Sequence, residues 1–200
     1  MLPLIIHGDL RSTRTRAVAM CCEEKGLAYR LEPVEYGSPA HLQQNPFGLI
    51  PVLQHAGEYL FETAAILYYV NDVAPGPELL PDEPRERALA MQWCSAALSQ
   101  LTSAAAWCEQ HDVLGQAEAI EQRFGELLLP FSLAIGEQEF VGTASLTLAD
   151  LCLYPLINKL YGGQPTLAKD LSSLQRWSNM MALRDSALVT QVDYLHRRQA

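Results

Sequence analysis

The stretch RSTRTRAV, residues 11–18, places adjacent hydroxyl groups at the start of a predicted helix. The hydroxyl of Ser12 or Thr13 in this position would cap the helix by accepting a hydrogen bond from a backbone N–H. Three guanidinium groups surround the hydroxyls, those of Arg11, Arg14 and Arg16. Their charge would favour an anionic ligand, although a helix surface with three arginines is also typical of a plain solvated face. The pattern therefore permits both a helix cap and an anion-binding site.

A second stretch, NPFGLIPVL at residues 45–53, puts a proline at the start of a predicted strand. Pro51 has no backbone N–H and therefore cannot donate to a sheet ladder. Two explanations are open. Either Pro51 marks an edge strand, or its missing N–H leaves backbone groups open to a partner from outside the chain.

Two further pairs stand at the starts of predicted helices. Glu62 and Thr63 precede an apolar run, where an acidic group or a hydroxyl satisfies free N–H groups of the first turn. Thr147 and Asp150 form a capping box with Asp in place of the usual Glu. This box predicts that a helix starts at Thr147 and that both residues serve folding.

The cysteines show no pattern of a metal or redox site. There are five, at Cys21, Cys22, Cys94, Cys108 and Cys152. They include no C-x-x-C pair and no metal-ligand spacing. Side chains of adjacent helical residues such as Cys21 and Cys22 point about 100° apart, which favours packing over redox chemistry. We therefore expect reduced thiols in the core and no metal.

Composition narrows the possible partners. The 200 residues include 23 acidic and 14 basic side chains, for a net charge of −9, and the one basic run is the terminal pair at 197–198. A nucleic-acid partner is therefore not expected. The segment MLPLIIHGDL lacks the charged and apolar regions of a secretion signal, and no stretch is long enough to cross a bilayer. We expect a cytoplasmic protein with no membrane partner.

The elements that must position these residues follow from hydrophobic periodicity. A continuous apolar run, LPLIIH, predicts a strand, and RSTRTRAVAMCCEEKG predicts a helix that ends near Gly26. LAYRLEPV alternates as a strand, and Pro33 places it at a sheet edge. IPVLQHAGEYLF predicts a hairpin, and the helix from Glu62 follows. With the poorly patterned stretch EYGSPAHLQQ as the second helix, between LAYRLEPV and the hairpin, the order is βαβαββα.

The predicted secondary structure changes at PGPELLPDEP, residues 75–84, a segment that contains four prolines. Strand signals fade beyond this segment and helical signals lengthen. We predict an α/β domain at residues 1–76, a linker at 77–84 and an all-helical domain at 85–200. A long helix in the second domain is expected to bend or end at Pro130.

The motifs STRTRAV, NPFGLIPVL, FETAAI and TLAD together resemble those of cytosolic glutathione transferases, and the resemblance covers the full chain. RSTRTRAV is most similar to the serine-type members, especially the phi-like and bacterial ones. The resemblance implies a thioredoxin-like domain of order βαβαββα followed by an all-α domain. Hydrophobic periodicity predicts the same architecture independently.

The resemblance also implies roles for individual residues. Ser12 would be catalytic, because its hydroxyl donates to the sulfur of glutathione while the helix dipole favours the thiolate. A cis peptide bond at Pro51 would let Ile50 offer its backbone N–H and C=O to the cysteinyl part of glutathione. Thr63 would hold the γ-glutamyl carboxylate, and Glu62 its ammonium group.

Two departures from the family pattern concern the glycyl end of glutathione. Many serine-type members carry Gln or Lys at the position of Leu49, where it reaches the glycyl carboxylate, and leucine cannot make that contact. The basic pair that often precedes NPFG in phi-like sequences is also missing. His41 is the nearest candidate to replace it. We therefore expect glycyl recognition that is weak or built from other residues.

The predicted function is a homodimeric glutathione S-transferase that uses glutathione as co-substrate and conjugates its thiolate to hydrophobic electrophiles. One alternative is a non-catalytic binding module that keeps the transferase fold, which Leu49 and the missing basic pair favour. Another is a glutathione-dependent isomerase of the zeta-like kind. That kind carries Ser-Ser-Cys where this chain has Ser12, Thr13 and Arg14.

Overall fold

The computed structural model of the chain describes residues 4–101, 117–161 and 169–192, so Cys108 and residues 193–200 lie outside the described ranges. None of the helices within these ranges combines the length and the apolar character that a bilayer crossing requires.

The N-terminal part is a four-stranded sheet with helices, in the predicted order βαβαββα. Its elements are β1 (Leu4–His7), α1 (Thr13–Glu24), β2 (Tyr29–Glu32), α2 (Pro39–Gln44), β3 (Val52–His55), β4 (Glu58–Leu60) and α3 (Thr63–Val73). The strand order is β2-β1-β3-β4, with β2 parallel to β1 and with β3 antiparallel to both β1 and β4. This is the thioredoxin-like arrangement, and β2 is an edge strand as Pro33 predicts.

Apart from one isolated bridge between Phe140 and Thr143, the regular secondary structure in the described C-terminal residues is helical, which confirms the predicted fold class. Its helices are α4 (Pro84–Ala96), α5 (Ala117–Ile135), α6 (Leu148–Leu160), α7 (Ser172–Ala182) and α8 (Asp185–Val189). A π-helical segment at Ala97–Leu101 continues α4. Helix α5 runs through Pro130 without a break. Of the two predicted alternatives, an end at Pro130 is therefore wrong, because buried Leu128, Phe131 and Ile135 hold this helix against the core, and a bend at Pro130 stays a prediction.

Helix α1 is the central element of the molecule. Its residues from Thr15 to Cys22 are all buried, eight in a row. It packs against β1, α3, α6 and α8, so both parts of the chain contribute to its surroundings. Gly8 permits the close approach of β1 to this helix, since a Cβ at residue 8 would lie 2.7 Å from the hydroxyl oxygen of Thr15. The hydrophobic core is consequently continuous across both parts.

The predicted helix start at Thr147 is confirmed. The Thr147 hydroxyl accepts from the N–H of Ala149, and Asp150 Oδ2 accepts from the N–H of Thr147 at 2.8 Å. The other carboxylate oxygen of Asp150 accepts from the backbone N–H of Val141 at 3.0 Å and from Trp177 Nε1 at 2.9 Å. Asp150 therefore joins α6 to α7 and to the loop before α6, which is a folding role.

The segment between α3 and α4 is fixed to the end of α1. Buried Lys25 donates through Nζ to the carbonyl of Pro77 at 2.8 Å and to that of Gly76 at 3.3 Å. A Cβ at residue 76 would lie 2.5 Å from the Lys25 carbonyl oxygen, so only glycine fits there. The linker at residues 77–84 remains a prediction: residues 77–83 lie between the end of α3 and the start of α4, and Pro84 is the first residue of α4.

A second connection to α1 is an ion pair with the residues around the start of α8. Both carboxylate oxygens of Glu24 accept from Arg184 at 2.7 Å, and Oε1 also accepts from the Ser186 hydroxyl at 2.5 Å. Burial alone would raise the pKa of Glu24, but the hydrogen bonds from Arg184 and Ser186 outweigh it and hold the pKa below its usual value.

We expect Glu24→Gln to lower the free energy of unfolding by about 1–3 kcal/mol at pH 7, because charged hydrogen bonds are lost. Since the folded state lowers the pKa of this carboxyl, its stabilisation is full above the unfolded-chain pKa of about 4.3 and disappears as the pH falls through the folded-state pKa. Urea unfolding of both proteins at pH 7 and pH 3 checks this. The exposed Glu58→Gln serves as control, and a difference that does not become smaller between pH 7 and pH 3 would contradict the assignment.

Candidate active site

Three element ends meet at one end of the sheet. His7, the last residue of β1, pairs with Val52, the first residue of β3. Leu53 of β3 pairs with Leu60, the last residue of β4. The end of β1, the start of β3 and the end of β4 therefore lie side by side.

The predicted site residues stand next to these element ends. Ser12 lies between β1 and α1, Pro51 directly precedes β3, and Glu62 lies between β4 and α3. The strand register thus brings together residues that are up to 50 positions apart in the chain. The prediction that they form one site agrees with this placement.

Ser12 is the N-cap residue of α1. It has extended backbone angles, is partly exposed, and its Oγ accepts from the N–H of Thr15 at 3.4 Å. A hydroxyl that accepts through one lone pair still has its own O–H to donate. The first turn of α1 contains no acidic side chain that would compete for its positive end. Ser12 is therefore placed to donate a hydrogen bond to an anion in front of α1.

The peptide bond between Ile50 and Pro51 is cis. Because β3 lies between β1 and β4, Pro51 does not mark an edge strand. Ile50 is partly exposed, and its backbone N–H and C=O form no backbone hydrogen bond with another described residue. The second explanation of the motif, open backbone groups, agrees with this geometry.

The carbonyl of Leu49 is held from two sides. It accepts from Asn45 Nδ2 at 2.8 Å and contacts His41 Nε2 at 3.3 Å. The other ring nitrogen of His41 accepts from the N–H of Gly37 at 3.3 Å, which assigns the proton of the ring to Nε2. This pair of bonds fixes the backbone immediately before Ile50.

His41 differs from what the sequence suggests for it. Its side chain is only 2% exposed, and both ring nitrogens have partners within the protein. A ring in this state has no free donor for a carboxylate. In the structure, His41 stabilises the loop before Pro51.

The start of α3 has an unusual backbone. Glu62 has a positive φ of 69°, a conformation that costs a non-glycine residue on the order of 1 kcal/mol. Its exposed carboxylate makes no capping hydrogen bond to the helix. Thr63 follows as the first helical residue and is buried. The helix start is thus left uncapped by Glu62, as expected of a place where an outside anion binds.

A polar cluster of Asp9, Arg11 and Tyr36 lies beside Ser12 and was not predicted. The carboxylate of Asp9 accepts from the backbone N–H of Arg11 at 2.8 Å and from both Nε and Nη2 of its guanidinium. The hydrogen bond with Asp9 is the main reason why the pKa of Arg11 is raised, and Tyr36 also interacts with it. The Tyr36 ring is 64% exposed and packs edge-on against His41 at 5.8 Å. The sequence suggests a role for Arg11 because this residue directly precedes Ser12. The sequence does not show that Arg11 interacts with Tyr36.

The four cysteines in the described ranges play no part in this site. Cys21, Cys22, Cys94 and Cys152 are buried free thiols. Burial raises the pKa of Cys21 well above its usual value and that of Cys22 to about 12. No group of three or more metal-ligating side chains occurs in residues 4–101, 117–161 and 169–192.

A cavity of about 880 Å³ lies elsewhere, between the segment before α4 and the loop before α6. Glu78, Glu86 and Thr143 are among its lining residues, and it contains none of the predicted site residues. The site at the sheet end is therefore separate from this cavity.

Comparison with known proteins shows which family the chain is similar to. The glutathione S-transferase N-terminal domain family matches residues 11–73. A glutathione S-transferase of Silene vulgaris is 29% identical over 202 residues, which cover 90% of this chain and 93% of the relative. A maleylacetoacetate isomerase of Rhizobium meliloti (strain 1021) is 28% identical, over 76% of this chain and 79% of the relative.

Among solved structures, the theta class glutathione S-transferase of Xanthomonas axonopodis pv. citri with glutathione bound superposes with a TM-score of 0.85. It is 25% identical, and the match covers 97% of this chain and all of the other. The sequence likeness over nearly the whole chain, the domain match and the shared fold agree: residues 11–73 match the glutathione S-transferase N-terminal domain family, and the chain as a whole is similar to glutathione S-transferases.

Proposed function

We propose that this protein is a glutathione S-transferase that ionises glutathione beside Ser12 and conjugates the thiolate to hydrophobic electrophiles. The observation that carries the proposal is the meeting of the Ser12 hydroxyl, the open backbone of Ile50 and the start of α3 at one end of the sheet. In the reaction, the thiolate attacks an electrophilic carbon and forms a C–S bond. A leaving group departs with its electron pair, or a proton is added to the neighbouring carbon.

The role of Ser12 is to donate a hydrogen bond to the sulfur, not to act as nucleophile. Its lone pair already caps α1, so its O–H remains for the thiolate. The positive end of α1 adds a second favourable interaction. Lowering a thiol pKa by about two units requires roughly 2.7 kcal/mol, which one hydroxyl and one helix end supply together.

Backbone pairing at Ile50 would hold the cysteinyl part of glutathione in register with the sulfur at Ser12. The peptide groups of an extended ligand pair with free N–H and C=O groups as a neighbouring strand does. Asn45 and His41 hold the carbonyl of Leu49, so these groups keep their direction when no ligand is bound. This arrangement reduces the entropy lost on binding.

The start of α3 would hold the γ-glutamyl end. Its carboxylate would receive hydrogen bonds from the first N–H groups of α3 and from the Thr63 hydroxyl. The exposed carboxylate of Glu62, which does not cap the helix, would pair with the ammonium group. Thr63 keeps the hydroxyl that Ser supplies in much of the family.

We assign the glycyl carboxylate to Arg11 and Tyr36 in place of His41. Leu49 has no donor, and the His41 ring is buried and fully hydrogen-bonded. Tyr36 packs on His41, which contacts the carbonyl next to Ile50, so it lies on the α2 side of the site, away from α3. Asp9 fixes the Arg11 guanidinium and leaves its remaining N–H groups for a ligand.

Titration calorimetry with glutathione, followed by ultraviolet difference absorbance of the bound thiolate, tests the main proposal. We expect binding with a thiolate signal near neutral pH and turnover of aryl halide or activated alkene substrates. Ser12→Ala should lower kcat/KM by about 10- to 100-fold and raise the pKa of the bound thiol. Thr13→Ala, which removes the neighbouring hydroxyl, should keep both values.

Two outcomes would favour the alternatives. Absence of binding at millimolar glutathione would contradict the proposal and support a non-catalytic module. The likeness to the Rhizobium meliloti isomerase makes maleylacetoacetate a necessary member of the substrate panel. Turnover of that compound with no conjugation of any electrophile would support an isomerase.

The assignment of the glycyl end has its own test with a shortened ligand. We expect Arg11→Ala to raise the KM for glutathione about 10-fold, because a charged contact to the carboxylate is lost. It should leave the KM for γ-glutamylcysteine, which lacks the glycyl group, unchanged. Tyr36→Phe should act in the same direction with a smaller effect, and the exposed Arg30→Ala serves as control. Equal losses for both ligands would contradict the assignment.

We further propose a homodimer in the cytoplasm, which the family resemblance supports. Light scattering is expected to give twice the 22.2 kDa of one chain. The mass of a single chain at micromolar concentration would contradict the dimer. Cell fractionation tests the location.

A further inference from the structure

Cys94 and Cys152 are two buried thiols in direct contact. Their Sγ atoms lie 3.3 Å apart and share an S–H···S hydrogen bond, although the residues are 58 positions apart in the chain. Cys94 lies in the last turn of α4, and Cys152 lies in the second turn of α6. Cys94 is fully buried and Cys152 is 1% exposed. The two sulfurs therefore face each other across the contact between two helices.

Small side chains accompany both sulfurs. On α4 and its π-helical continuation, Ala90, Cys94 and Ala97 follow one another at helical spacing, and all three are fully buried. On α6, Ala149 lies one turn before Cys152 and is also buried. The distance between packed helices depends on the side chains at their contact, and small ones permit a close approach. A disulfide needs such an approach, because it joins Cα atoms about 4.4–6.8 Å apart.

Packing alone does not require sulfur at both positions. A buried cysteine behaves as a small apolar residue, and its S–H group is only a weak donor. Two facing thiols add a chemical property, since they exchange two S–H bonds for one S–S bond when an oxidant is present. The Sγ atoms of Cys94 and Cys152 need to approach each other by only about 1.3 Å to reach the length of that bond, about 2.05 Å.

Burial determines which class of oxidant reaches the pair. A bulky disulfide must contact an exposed thiol, whereas hydrogen peroxide is small and uncharged and enters the core during local opening of the structure. The thiolate is the form that reacts, and the hydrogen bond with Cys94, followed by burial, raises the pKa of Cys152 well above its usual value. Both effects make the reaction slow, so the pair responds to sustained exposure to peroxide.

We propose that Cys94 and Cys152 are a redox pair that hydrogen peroxide converts into a disulfide, which ties α4 to α6. One thiol loses its proton, and its sulfur attacks a peroxide oxygen and breaks the O–O bond. This step forms a sulfenic acid, and the proton combines with the released hydroxide to give water. The second thiol attacks the sulfenic sulfur, forms the S–S bond and releases a second water. In total, the thiols lose two electrons and two protons, and peroxide is reduced to two waters.

The neighbouring thiol makes the oxidation reversible. A sulfenic acid with no thiol beside it is oxidised further to sulfinic and sulfonic acids, which thiol reductants do not repair. At a distance of 3.3 Å, the second sulfur captures the sulfenic acid first. A disulfide also stabilises a fold, because it restricts the unfolded chain. The pair thus converts a damaging oxidation into a bond that holds two core helices together until a reductant breaks it.

Peptide mapping of the peroxide-treated wild-type protein tests the proposal. The reduced, folded protein is incubated with millimolar hydrogen peroxide, then denatured, alkylated with N-ethylmaleimide, digested and analysed by mass spectrometry. We expect the peptides that contain Cys94 and Cys152 to be linked, and dithiothreitol to restore both thiols. The linked protein should melt about 5–15 °C above the reduced protein.

Single substitutions separate this pair from the other buried thiols. Cys94→Ala should abolish the link and leave sulfinic acid at Cys152 after the same treatment. Cys22→Ala is the matched control, because Cys22 is equally buried but its pKa is raised by burial and by Glu23, without a second thiol. Cys21→Ala tests a third sulfur, which interacts electrostatically with both members of the pair. Both of these variants should keep the link.

Three results of the mapping would overturn the proposal. They are a link from Cys21 to either member in the wild-type protein, sulfinic acid at Cys94 or Cys152 without a link, and thiols that stay reduced while the same peroxide fully oxidises free glutathione. A linked protein that melts no higher than the reduced protein would overturn the stabilising role. None of these readouts involves glutathione binding or turnover, so the proposed function is tested separately.

Discussion

The burial of helix α1 is the constraint on which the rest of the structure depends. A helix buried along eight consecutive residues needs apolar contacts on every side, and the sheet alone covers one side. Helices α3, α6 and α8 cover the others. The helical part of the chain is thus required for α1 to be stable, and a stable α1 is required for the position of Ser12. This relation explains why the two parts share one core.

The site consists of a rigid frame with a few unsatisfied groups at its surface. Gly8 brings the end of β1 against α1, and Asn45 with His41 holds the loop before Pro51. Asn45 and His41 stabilise the frame through their hydrogen bonds, and Gly8 does so through its small size. The hydroxyl of Ser12, which is partly exposed at the surface of this frame, keeps its own O–H to donate.

Sequence reasoning was successful where a local pattern determines local structure. The βαβαββα order, the cap at Ser12 and the capping box at Thr147 each follow from a few neighbouring residues and are confirmed. It was less successful where contacts between distant segments determine the structure. Helix α5 continues past Pro130 because packing of the core outweighs the loss of one hydrogen bond. His41 was predicted to be free to bind a ligand. The sequence does not show that the fold of the loop brings Gly37 and Leu49 into hydrogen-bond contact with its ring.

The hidden thiols have a consequence for an enzyme that handles electrophiles. A compound that alkylates glutathione also alkylates protein cysteines, provided that their thiolates are accessible. Cys21, Cys22, Cys94 and Cys152 lie in the core, and the raised pKa of Cys21, Cys22 and Cys152 keeps these three protonated. Four of the five nucleophilic sulfurs of the chain are thereby kept away from the reagents that the site would activate glutathione to attack. Burial at the centre of the fold thus protects the protein from self-inactivation by its own substrates.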